Sequence, residues 1–518
     1  MKFDIDKIKT LGQLKEAGYV ATSIKEELRA NLIEHLKKKT NVFKGVIGFE
    51  DTVIPDIERA ILSRHNIILL GLRGQAKTRI ARQMTALLDE YIPIVEGSEL
   101  NDDPLRPLSR YALDLIAQHG EETPVAWLHR DDRYSEKLAT PDVSIADLIG
   151  DVDPIKAANM KLSYSDERVI HFGLIPRSHR CIFVINELPD LQPRIQVALF
   201  NILQEGDIQI RGFKIRLPLQ LQFVFTANPE DYTNRGSIVT PLKDRIESQI
   251  LTHYPKDVAI SQQITQQEAR LTKEQKKTIT ANDVAKLLIE HIAFEARSSE
   301  FVDENSGVSA RLTISAYENL ISAAERRMLI NREKKTHLRI GDFWGVIPAI
   351  TGKIELVYEG EQEGPFIVAQ NLIGKAIANV FVEYFPNPEK KQNPVKGRQQ
   401  RPARQPKPQK PAKAKANPYQ TIVDWFGQGK NFDLMNDLPQ SKYTKILMSI
   451  PGLSALVDKH HPDLDKDTKL FFMEFVLHGL AEHSLISKNM VQSGFQFKDL
   501  LGSIFNFEDV EEDDDIAF

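Results

Sequence analysis

The sequence predicts an α/β domain built on parallel strands, followed by an all-helical domain and a separate, mainly helical C-terminal domain. Three observations predict it. The run Asn66-Ile67-Ile68-Leu69-Leu70 is short, apolar and strand-like, and breaks at Gly71 into a turn that opens a helix. Two more apolar runs, Cys181-Ile182-Phe183-Val184-Ile185 and residues 221–227, stop at polar residues, Asn186-Glu187 and Asn228-Pro229. From about residue 257 to 385 the apolar spacing becomes helical.

The helix after the turn is supported by Ile80, Met84, Leu87 and Leu88, which fall on one face at helical spacing. Strand, glycine turn and helix together form the context a phosphate loop requires. Phosphate is held by backbone N–H groups at a helix N-terminus, and the loop here is Gly71-Leu72-Arg73-Gly74-Gln75-Ala76-Lys77-Thr78, with Arg79 next. Lys77 reaches the terminal phosphates, and the Thr78 hydroxyl is placed to hold a magnesium ion. Where the pattern G-x-x-x-x-G-K-[ST] expects its second glycine stands Ala76, which fits if the backbone there needs no positive φ. The competing reading, a strand-turn-helix with a chance Gly and Lys, is decided by the residues downstream.

At 518 residues, 42% hydrophobic and 27% charged, the chain is long and apolar enough for two or three domains. A formal net charge of −5 gives no reason to expect nucleic-acid binding. Cys181 stands alone, which excludes an internal disulfide and a multi-thiolate metal site and fits a reducing compartment. The N-terminal residues have no basic flank leading into an apolar stretch, and no run of about 18 apolar residues occurs, so a cytoplasmic protein without a membrane span is expected.

In chain order, residues 1–45 form an amphipathic helical lead-in, with Leu14, Ile24, Leu28, Leu32, Ile33 and Leu36 among Lys and Glu. A turn and a helix over 53–62 precede the loop strand. Residues 91–123 are polar and proline-bearing, and read as a surface insertion. Residues 124–129 resemble a second buried strand, and 158–178 a hairpin. The strand ending in Asn186-Glu187 puts a carboxylate at the sheet edge where phosphates bind, and a helix follows from Pro193. In phosphate-loop ATPases this position is usually Asp-Glu, the Asp holding magnesium through water and the Glu polarising the attacking water. Residues 206–217 alternate around Arg211-Gly212 as a hairpin. Asn228 then brings an amide to the same edge, where it can orient the hydrolytic water. Arg245 stays in its own subunit or reaches a neighbour's nucleotide, and Arg311 opens a helix after Gly307 from which it can point back to the cleft. Residues 389–418 are basic, proline-rich and nearly devoid of apolar residues, an extended linker. Residues 419–507 are apolar enough to fold as helices, and 508–518 are an acidic tail.

Phosphate loop, Glu187 strand, Asn228 strand, Arg245 and the helical domain with Arg311 stand in an order that resembles AAA+ ATPases, and in particular their magnesium chelatase I-subunit and MoxR-like branch. The likeness to that branch rests on Thr140-Pro141-Asp142 with Asp147-Leu148-Ile149-Gly150, on Gly173-Leu174-Ile175-Pro176-Arg177, and on Leu217-Pro218 leading to Ala227-Asn228-Pro229. The resemblance implies a three-layer α/β nucleotide domain over 46–256 and a helical lid over 257–388. It also implies ATP and Mg2+ bound between subunits of a ring, usually a hexamer. Lys77 and Thr78 are then the Walker A residues and Asn186-Glu187 the Walker B pair. Asn228 is sensor 1, Arg245 a finger acting in trans, and Arg311 sensor 2, while 158–178 is the hairpin this branch inserts into its second helix. Asn186 departs from the family, because a neutral amide oxygen binds magnesium more weakly than a carboxylate, and it implies slow turnover.

The function this implies is an ATPase that remodels a partner protein, which in this branch is often a von Willebrand type A domain protein. An enhancer-dependent transcriptional activator is the alternative, disfavoured because no Gly-Ala-Phe-Thr-Gly-Ala loop occurs. A nucleotide-sensing scaffold with little turnover is a third reading, for which Asn186 speaks.

Overall fold

The computed structural model describes residues 3–163, 166–208, 210, 217–228, 237–388, 417–491 and 494–500. The chain divides into two compact units, residues 1–255 and 256–518. The linker expected at 389–418, except for its last two residues, and the acidic tail at 508–518 lie outside the described residues.

The first unit is built on five parallel strands: β1 (Ile67–Leu70), β2 (Tyr134–Leu138), β3 (Cys181–Asn186), β4 (Leu221–Ala227) and β5 (Ser248–Leu251). Their order across the sheet is β5-β1-β4-β3-β2. Ile67 pairs with Val224 and Ser248, and Leu221 with Cys181, so the C-terminal ends of the inner strands fall at one edge. The inner strands are mostly apolar because both sheet faces are covered. Ile67, Leu69, Ile182, Val184 and Val224 pack under α1 (Ile24–Lys37), α2 (Val53–Leu62) and α3 (Lys77–Gln83). The alternate residues Ile68, Phe183, Ile185, Phe223 and Phe225 pack on the other face with Ile195, Leu199 and Ile202 of α4 (Pro193–Gln204). This is the expected three-layer arrangement, and the N-terminal lead-in belongs to its core through Ile24, Leu28 and Leu32.

Several expectations are corrected. Residues 124–129 are not a core-sheet strand: Val125–His129 pairs antiparallel with Tyr91–Val95 in a two-stranded sheet. The core strand is the more polar Tyr134–Leu138, which pairs only with β3 and needs fewer apolar residues at the sheet's margin. Residues 91–123 are more than a surface insertion, since Asp102 is fully buried and accepts hydrogen bonds from the Ser109 N–H (2.9 Å) and hydroxyl (2.6 Å). Asp103 ion-pairs with the buried Arg180 at 3.2 Å. Over 158–178 the paired strands are Gly150–Val152 and Ile170–Phe172, and a helix, Pro154–Met160, lies between them. The turn expected at Arg211-Gly212 lies outside the described residues, while its flanks Asp207–Ile208 and Leu217–Pro218 pair antiparallel.

The second unit contains α5 (Asp283–Arg297), α6 (Arg311–Ile330), α7 (Pro365–Tyr384) and α8 (Lys466–Glu482). It is not purely helical over 257–385, since Ile279–Thr280 pairs with Thr336–His337. Three strands, β6 (Phe432–Met435), β7 (Ser487–Val491) and β8 (Gly494–Lys498), form an antiparallel sheet in the order β6-β8-β7. Residues 419–498 are mainly helical as expected, but they share one hydrophobic core with the lid helices. The reason is α8, buried at every position from Leu470 to Leu480, which must be covered on all sides. α7 is long and apolar enough to cross a bilayer, and its Leu372, Ala376, Ile377, Val380 and Phe381 lie in that same core.

Candidate nucleotide site

The site grows from the edge where β1, β3, β4 and β5 end. After β1 the chain turns through Gly71, whose N–H donates to the Ala227 carbonyl of β4 at 3.1 Å. A Cβ at Gly71 would fall 2.0 Å from Thr252 Oγ1 and 2.2 Å from Gln75 Oε1, so only glycine fits. Thr252, just beyond β5, donates to Gln75 Oε1 at 2.6 Å, and Tyr254 OH donates to the Arg73 carbonyl at 3.0 Å. These bonds brace the loop from the neighbouring strand. Gly74 has φ 76°, and Ala76 has φ 55° and ψ 14°. The expectation that Ala76 avoids positive φ is therefore wrong. The loop geometry imposes the left-handed conformation on this residue, and alanine adopts it at a cost of about 1–2 kcal/mol.

α3 begins at Lys77, so the N–H groups of its first turn point toward the loop. Lys77 is buried, and its ammonium donates to the carbonyls of Gly71 and Leu72 and to Asn228 Oδ1, the last at 2.7 Å. Asn228 Nδ2 in turn donates to Glu187 Oε2 at 3.2 Å. The three residues expected to handle the terminal phosphate and its water thus form one chain across β1, β4 and β3. Glu187 has φ 56°, and its N–H donates to Thr226 Oγ1 at 3.2 Å. Asn186 Oδ1 accepts from the hydroxyls of Thr78 at 3.4 Å and Thr226 at 3.3 Å. Arg79 lies half-buried in the first turn of α3.

Thr78 Oγ1 and Asn186 Oδ1 are adjacent oxygens beside the loop, while no cluster of three or more His, Cys, Asp or Glu among the described residues has metal-holding geometry. The pair fits a magnesium ion that Thr78 would hold and that Asn186 would hold through water, with water and phosphate oxygens around it, the usual habit of magnesium.

The two expected arginines sit on other elements. Arg245 is half-buried, stacks over the Phe200 ring at 5.0 Å, and donates to Gln204 Oε1 at 3.0 Å and the Pro241 carbonyl at 2.7 Å. It does not join the Lys77 chain in its own subunit. Arg311 belongs to the second unit, at the start of α6, where its N–H donates to Ser309 Oγ at 3.1 Å. Thr226 and Thr252 were missed by sequence reasoning, although each is a hydroxyl in or just after an apolar strand, and that is the signal that marks them.

A five-stranded parallel sheet of this order, with a braced phosphate loop after β1 and Glu187 and Asn228 at the adjoining strand ends, defines a phosphate-loop nucleotide-binding domain. This is the α/β nucleotide domain that the resemblance of the sequence to AAA+ ATPases implies. No protein-family model matches the chain. Among solved structures it is similar to NtrX from Brucella abortus, with 13% identity over 55% of this chain and 54% of that one and a TM-score of 0.31. It is similar to a complex of the BchI and BchD subunits of magnesium chelatase, with 17% identity over 62% of this chain and 98% of that one and a TM-score of 0.31. It is also similar to Hsp104 with ATPγS and casein, with 14% identity over 63% of this chain and 53% of that one and a TM-score of 0.35. The chain spans about half the length of NtrX and of Hsp104. Identities and TM-scores this low add no weight of their own, and the class rests on the strand order and the site.

Proposed function

We propose that this protein binds and hydrolyses ATP in a cytoplasmic ring of identical subunits, as a hexamer, and uses the cycle to remodel a partner protein. The magnesium chelatase I-subunit and MoxR-like resemblance of the sequence supports the ring and a von Willebrand type A domain protein as the partner. The observation that carries the ATPase reading is the chain Lys77 Nζ to Asn228 Oδ1, 2.7 Å, and Asn228 Nδ2 to Glu187 Oε2, 3.2 Å. Loop N–H groups and the start of α3 bind the β- and γ-phosphates, and the Lys77 ammonium offsets their charge. Glu187 accepts the proton of the attacking water, which Asn228 orients. Thr78 would hold the magnesium ion and Asn186 would hold it through water, and the ion when bound would neutralise charge on the phosphate oxygens. Arg245 of one subunit completes the charge stabilisation in the next, and Arg311 reads the bound nucleotide from the helical side.

Steady-state ATPase assays beside equilibrium ATP binding test this. Glu187→Gln should retain binding and lose turnover by about a hundredfold or more. Turnover unchanged in that variant would overturn the reading. The nucleotide-sensing scaffold is the second reading, favoured by the neutral Asn186. It is chosen if the wild-type protein binds ATP without measurable turnover.

A further inference from the structure

In the second unit, α7, α8, the β7–β8 hairpin and residues 340–347 enclose a cavity of about 460 Å3. That volume lies within the range of small-molecule sites, roughly 300–1,000 Å3. Its apolar wall includes Ile373, Ile377, Trp344 and Phe495, the last two edge to face with ring centroids 5.5 Å apart.

His478 of α8 also lines the cavity and is 1% exposed, and neither of its ring nitrogens has a hydrogen-bond partner. Its ring stands perpendicular to Phe495 and Phe497, at centroid distances of 5.0 and 5.1 Å. Glu474 Oε1, 3.9 Å from Nε2, is too far to serve. Both Glu474 oxygens are already engaged, by the N–H groups of Ile340 and Gly341 and the Tyr443 hydroxyl. Burial holds the imidazole neutral, so it offers one donor and one acceptor. A buried polar group in this condition is destabilising unless something supplies the missing bond.

The opening of the cavity is charged. Lys488 ion-pairs with Glu482 and lies 5.3 Å from the Phe495 ring centroid, and Lys375 stands exposed on α7. A Cβ at Gly374 would fall 2.6 Å from Glu482 Oε2, so the glycine is what admits that carboxylate against α7. The cavity lining thus carries two ammonium groups and one carboxylate, which Lys488 already pairs.

We propose that this cavity binds a small, flat, largely apolar molecule with one anionic group: the apolar body against Trp344 and Phe495, a polar edge on His478, and the anion at Lys488 and Lys375. The cavity lining includes no residue of the nucleotide loop, and the proposal does not depend on the ATPase reading.

The test uses the full chain with 13C-methyl methionine, titrated with anilinonaphthalene sulfonate and, separately, with its neutral parent phenylnaphthylamine. Met490 lines the cavity, whereas Met84 is buried in the nucleotide unit and serves as the control. The sulfonate should shift the Met490 signal saturably at one equivalent, leave Met84 unmoved, and bind roughly tenfold more tightly than the neutral probe. Lys488→Gln should erase that preference, and His478→Phe should weaken both probes. A Met490 signal that does not move saturably, equal affinity for the two probes, or an unchanged preference in Lys488→Gln would each overturn the proposal. Should His478→Phe not fold, the Lys488→Gln comparison decides alone.

Discussion

Ala76 is the residue where backbone strain meets function. Its φ of 55° is a conformation in which glycine carries no penalty, and the loop holds alanine there between Gly74 and the start of α3. Ala76→Gly should stabilise the protein by about 0.5–1 kcal/mol, the strain relieved less the entropy that glycine adds to the unfolded chain. A lower denaturation midpoint in that variant would contradict this. Asn186 is the second such residue. An aspartate would keep both hydroxyl bonds from Thr78 and Thr226 and add a charge beside the magnesium position. Asn186→Asp should therefore raise turnover, most clearly at limiting magnesium, and a variant with the parent's magnesium requirement and no faster turnover would count against it. His179 sets a pH dependence. Its Nδ1 accepts from the Gln220 N–H at 2.9 Å, and burial, aided by Arg180, pushes its pKa down to about 3. The unfolded chain takes up the proton near pH 6.5 and the folded one does not. This contribution to stability is complete above about pH 6.5 and is lost as pH falls toward 3, at up to ~1.4 kcal/mol per pH unit. Denaturation of wild type and His179→Asn across this window should show the steeper slope in wild type, and parallel slopes would refute the assignment.

At the scale of elements, the phosphate loop depends on its brace. Gly71→Ala would place a methyl 2.0 Å from Thr252 Oγ1, displacing the turn and the Gln75 bond that Thr252 supports. ATP binding should be lost while circular dichroism stays native, and retained affinity would show that the brace does not set the loop. β1, β3 and β4 were legible in the sequence because strands buried on both faces read as short, mostly apolar runs. The same logic misassigned 124–129, since a half-buried antiparallel strand of Val, Ala, Trp and Leu looks alike in sequence. β2 was hidden because Tyr-Ser-Glu-Lys-Leu at the sheet's margin is mostly half-exposed or exposed. Lys77 was readable as the loop lysine and Asn228 and Glu187 as strand-end residues, but the bonds joining them depend on the strand order, which no local pattern encodes. The positive φ of Ala76 was likewise invisible, being imposed by the turn and not by the residue. Periodicity marks α8 as buried without saying against what, and for this reason the shared core of 279–498 emerged only in three dimensions.

For the whole molecule, the proposed ring makes Arg245 the test of assembly. Within one chain it is held by Phe200, Gln204 and Pro241, away from the Lys77 chain of its own site. Arg245→Ala should keep ATP binding and lose hydrolysis, and mixing it with Glu187→Gln subunits should restore some activity where a sound Arg245 meets a sound Glu187. No recovery at any ratio would mean that Arg245 does not act in trans. The account rests above all on the site around Lys77, and calorimetric titration of ATP into the wild-type protein and Lys77→Ala measures it most directly. Saturable binding in wild type, reduced at least tenfold in a variant with unchanged circular dichroism, is the result expected from losing a charge-assisted contact to phosphate. Equal affinity in the two proteins would contradict it.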